Sequence, residues 1–66
     1  MKQDKDYIKP IWFVNYGVTS RHLFESKAFD RLKDARGFVS SIQYPFRAWQ
    51  IIKHSEQTET IDEQVV

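Results

Sequence analysis

The chain has 66 residues, ten Lys and Arg against nine Asp and Glu, and no cysteine. That length allows one domain, in which folding removes only about 60% of the surface the unfolded chain exposes. Packing must therefore supply the stability, because the sequence offers neither a disulfide nor a Cys/His cluster for a structural metal.

The N-terminal MKQDKDYIKP is charged and lacks the apolar core of a signal peptide, and no apolar run approaches the roughly 20 residues of a membrane span. A soluble cytoplasmic protein without a membrane partner is expected. Although the net charge is only +1, residues 1–54 hold all ten bases and five acids, whereas 55–66 hold four acids and no base. Such a tail either shields a basic face or is a solvated last strand.

In chain order, Ile8 to Tyr16 is rich in β-branched and aromatic residues, and Asn15-Tyr16-Gly17 reads as the start of a hairpin turn. Pro10 stands near the strand's beginning, where a missing N–H is tolerated. The returning strand is expected from Thr19 or Arg21 to Phe29, with imperfect alternation. A helix follows in DRLKDARGFVSSIQ, whose Leu32, Ala35, Phe38, Val39 and Ile42 fall within an arc of about 120°. Asp30 is the expected N-cap, since capping at Ser26 would leave Phe29 off the apolar arc. Tyr44-Pro45 should stop the helix. Phe46 to His54 reads as a strand apolar on both faces, and Thr58 to Val65 as a weaker last strand.

This β-β-α-β-β order predicts an α+β fold: a small four-stranded antiparallel sheet with one helix packed on one face, spanning 1–66 as a single domain. Residues 1–7 and 64–66 are candidates for fraying. The two-faced first and third strands suit the centre of the sheet and the half-polar second and fourth its edges, which gives the order 2-1-3-4.

One short helix leaves a sheet face open. If the purely apolar sets Ile11, Phe13 and Phe46, Ala48, Ile52 face the helix, then Trp12, Tyr16 and Trp49, edged by Arg47 and Lys53, occupy the open face. Those five residues form the candidate partner-binding site, in a mixture of aromatic and arginine typical of binding hot spots. The competing expectation is that the segment around Tyr7 and Ile8, or the tail near Val65, folds over them.

Catalytic or cofactor chemistry has little foothold. His22 and His54 have no ligand spacing, Ser40 and Ser41 lie on the polar helix face, and the acidic tail lacks a calcium-loop pattern. With Gly17 and Gly37 as the only glycines there is no phosphate loop, so neither an enzyme nor a cofactor or metal is expected. Gly37, inside the helix, marks either the close approach of a partner backbone or an unselected weakness.

In pattern, FDRLKDARGFVSSI followed by RAWQIIKH resembles short β-β-α-β-β proteins encoded by phages and other mobile elements. The resemblance implies a stoichiometric binder that blocks or redirects a host protein. Expected partners are a protein target or a second copy, engaged by stacking open faces or by lending an edge strand. A single-stranded nucleic acid stacked on the same aromatics is the second expectation.

Overall fold

The computed structural model describes residues 9–66, so the expectations on 1–7, on Tyr7 and on Ile8 as the first strand's start lie outside the described residues. Strand β1 (Ile11–Gly17) begins directly after Pro10, whose lack of an N–H keeps it out of the ladder. Strand β2 (Glu25–Phe29) starts later than expected, because residues 18–24 form a loop in place of a tight turn. Helix α1 (Leu32–Ser40) leads to β3 (Ala48–His54) and β4 (Thr58–Gln64). All neighbouring strands are antiparallel in the order β2-β1-β3-β4, the predicted topology.

The loop explains Gly17. A Cβ there would sit 2.0 Å from the His22 carbonyl oxygen and 3.1 Å from the Leu23 Cα, so the returning backbone crosses where any side chain would stand. Ser20 secures the same loop to the chain's end: its N–H donates to the Val66 carbonyl at 3.2 Å, and its hydroxyl accepts from the Val66 N–H at 2.9 Å. Residues 64–66 are thereby held, with the Gln64 side-chain amide also donating to the Arg47 carbonyl.

Helix α1 differs from expectation at both ends. Its N-cap is Arg31, extended at φ −135° and ψ 139° and without a side-chain capping bond, in place of Asp30. The first-turn donors thus lack a side-chain acceptor at the cap, although Asp34 lies in the first turn and suits its positive end. At the other end the Ser40 hydroxyl donates to the Arg36 carbonyl at 2.9 Å, and that of Ser41 to Phe38 at 3.1 Å. Ser40 and Ser41 therefore close the helix, which stops before Ile42 and well ahead of Pro45. At nine residues α1 is too short to persist alone and depends on its packing.

Val14, Ala35 and Ile51, each 0% exposed, form the core, with Trp12, Tyr16, Phe29, Leu32, Phe38, Val39, Trp49 and Ile61 packed around them. Phe38 anchors the helix, its ring 5.1 Å from that of Tyr16 and 5.5 Å from that of Phe29. Ile61 joins the core through a bulge: Ile51 pairs with Asp62 and Ile52 with Thr60, leaving Ile61 as the extra residue. The bulge also lets Asp62 face the helix, where it accepts from Arg36 at 3.2 Å. Both side chains are about half exposed, so the pair adds at most about 1 kcal/mol.

Candidate functional site

The side of the sheet that the helix covers is the reverse of the one expected. Period-two alternation and the register place Trp12, Val14 and Tyr16 of β1 on the same face as Lys53, Ile51 and Trp49 of β3. Val14 and Ile51 meet Ala35, so this is the helix side. Trp12, Tyr16 and Trp49 are half-buried against the core, Tyr16 lying between Phe38 and Phe46, whose ring centroid is 5.4 Å away. Lys53 is half-buried on this face between Trp12 and Glu59, and Arg47 is exposed just before β3. The structure thus gathers four of the five expected site residues on one face, but under the helix.

The physical reason lies in the residues that share each face. Turning Phe13 and Ile52 towards the helix would also bury Asn15 and Gln50, which have the same parity. Burying amides without full partners costs more than leaving them in water, while the tryptophans and Tyr16 each bring about 150–250 Å² of largely apolar surface. The arrangement leaves one loose end. Trp12 Nε1 is buried and finds no acceptor among the described residues.

Three rows cross the open face. Ser26, Asn15, Gln50 and Glu63 form a polar row, in which the Asn15 amide donates to Gln50 Oε1 at 3.3 Å. Ala28, Phe13, Ile52 and Thr60 form an apolar row beside it, followed by Ile11, His54 and Thr58. Phe13 meets His54 edge to face at 6.1 Å. Gly17 and Ala48 close the opposite end and are buried, Gly17 against the backbone of the 18–24 loop.

Beyond that end, Gly17, Val18, Thr19, His22, Phe24, Glu25 and Phe46 line a mostly apolar groove of about 410 Å³. Phe24 is 82% exposed there, against the His22 ring at 5.2 Å, and Val18 is 48% exposed. Sequence reasoning missed this cluster because it places Phe24 in the returning strand and Val18 in a tight turn. The available signal was Gly17 itself, which stands where the loop comes back over the sheet.

The open face carries neither Lys nor Arg on its strand positions, and its rings are Phe13 and His54. The expected platform for stacking single-stranded bases, which needs several rings beside cations, is not assembled on it. Among the described residues no group of three or more His, Cys, Asp or Glu side chains is placed to hold a metal, and no helix is long and apolar enough to cross a membrane. No protein-family model, curated protein or solved structure matches the chain.

Proposed function

We propose that the protein is a non-enzymatic, cytoplasmic protein-binding module that modulates or inhibits a protein target, docking through the open sheet face and the groove at its end. Phe24 carries this reading. A phenylalanine 82% exposed beside Val18 and an apolar groove leaves in water a side chain that a partner surface would cover. The apolar row of Ala28, Phe13 and Ile52 extends the surface, and Asn15 and Gln50 add amides for orientation.

Affinity capture with the full chain, compared with Phe24→Asp, tests the proposal. Phe24 is solvent-exposed, so the variant should keep the wild-type circular dichroism spectrum. The expected result is a protein retained at one-to-one stoichiometry, with affinity lowered at least about tenfold by Phe24→Asp and nearly insensitive to salt. Retention unaffected by Phe24→Asp, or of nucleic acid that falls log-linearly with salt, would overturn it.

A further inference from the structure

The two edges of the sheet are protected very differently. Strand β4 is interrupted by its bulge and carries Glu59, Asp62 and Glu63, devices that discourage a further strand. Strand β2 is short but regular, pairs with β1 at every position from Glu25 to Phe29, has neither proline nor bulge, and its two charges, Glu25 and Lys27, are of opposite sign and so can complement those of a second copy. Its outer backbone groups have no strand partner among the described residues.

We infer that β2 pairs antiparallel with β2 of a second copy across a two-fold axis at Ser26, joining two four-stranded sheets into one. This goes beyond the docking role proposed above and does not depend on it. The register follows from charge. With both helices on the same side, directly opposed residues share a face, so the axis must pass through a residue of β2. An axis at Lys27 would oppose two lysines, one at Glu25 two glutamates, and one at Ala28 would set Lys27 against Phe29. An axis at Ser26 opposes Glu25 to Lys27 twice, both pairs on the helix side, where β1 carries their partners Tyr16 and Val14.

Space on the helix side permits it. At about 4.8 Å between strands, the two β1 strands would stand about 14 Å apart, enough for two helices of about 10–12 Å diameter lying over them. Between α1 and the β2 edge runs an open groove of about 580 Å³ lined by Phe29, Lys33, Asp34, Gly37, Phe38 and Ser41. Gly37 has nothing within 4 Å of where its Cβ would be, which leaves clearance for the second helix.

The absence of cysteine makes a direct test available. Opposed Cα atoms in antiparallel strands lie about 4.5–5.5 Å apart, within the range a disulfide spans, so Ser26→Cys should oxidise to a linked dimer while Thr60→Cys on β4 should not. In parallel, sedimentation of the full chain over a concentration series should show a reversible dimer. Lys27→Glu should weaken it about tenfold, and Glu25→Lys combined with Lys27→Glu should restore it. A wild-type chain monomeric at every concentration, or Lys27→Glu dimerising as well as wild type, would overturn the inference. So would equal crosslinking of the two cysteine variants. Each of these results leaves the Phe24-dependent capture of a target unaffected, so the two readings fail separately.

Discussion

Gly17→Ala is expected to lower the stability by about 3 kcal/mol and the melting temperature by about 15 °C. The new methyl would lie 2.0 Å from a carbonyl oxygen of the main chain, and no rotation of a side chain can relieve that. Either β1 or the 18–24 loop has to move, and the loop is tied through Ser20 to Val66. For a chain of this size the loss is a large share of a total of about 3–10 kcal/mol. Gly37→Ala is the matched control. Its methyl enters open space on the helix, so it should raise stability by about 1 kcal/mol through helix propensity. Thermal unfolding followed by circular dichroism measures both, and a Gly17→Ala variant as stable as wild type would contradict the placement of the loop.

Ile51→Ala should cost about 4 kcal/mol, because Ile51 is 0% exposed and ranks with Val14 as the largest fully buried side chain. It lies at the centre of the helix side, facing Val14 and Ala35, where no neighbour can easily close the cavity. Phe13→Ala removes more atoms from the half-buried open face, yet should cost only about 1–2 kcal/mol, since water can fill the space it leaves. Urea unfolding of the two variants gives the comparison. The opposite ranking would mean that the helix covers Phe13 and Ile52.

Much of the architecture was legible because several local signals agreed. The apolar spacing of Leu32, Ala35, Phe38 and Val39 marked the helix, and apolar residues on both faces of β1 and β3 marked the sheet's centre. The helix start was misread because Asp30 has the chemistry of a cap, while the extended conformation before α1 falls on Arg31. The loop of 18–24 escaped because the apolar Leu23 and Phe24 imitate a strand, while the reason for the loop, contact between distant backbone segments, has no local signature.

The faces were misread for a different reason. The indole and phenol groups of Trp12, Tyr16 and Trp49 have polar tips that suggest solvent, but the full amides of Asn15 and Gln50 need it more. Parity alone groups those amides with Phe13 and Ile52, and two amides near the middle of a face argue for solvent more strongly than polar tips on large rings. The candidate site moves accordingly, from the tryptophans to the face behind them and to Phe24.

The most direct measurement is a nuclear Overhauser spectrum of the isotopically labelled full chain, read from the Phe38 ring and the Ala35 methyl. Cross-peaks from Phe38 to Tyr16 and Phe29, and from Ala35 to Val14 or Ile51, with none to Phe13 or Ile52, are the result expected from a helix on the tryptophan side. Cross-peaks from α1 to Phe13 and Ile52 would return the tryptophans to the open face and contradict the account.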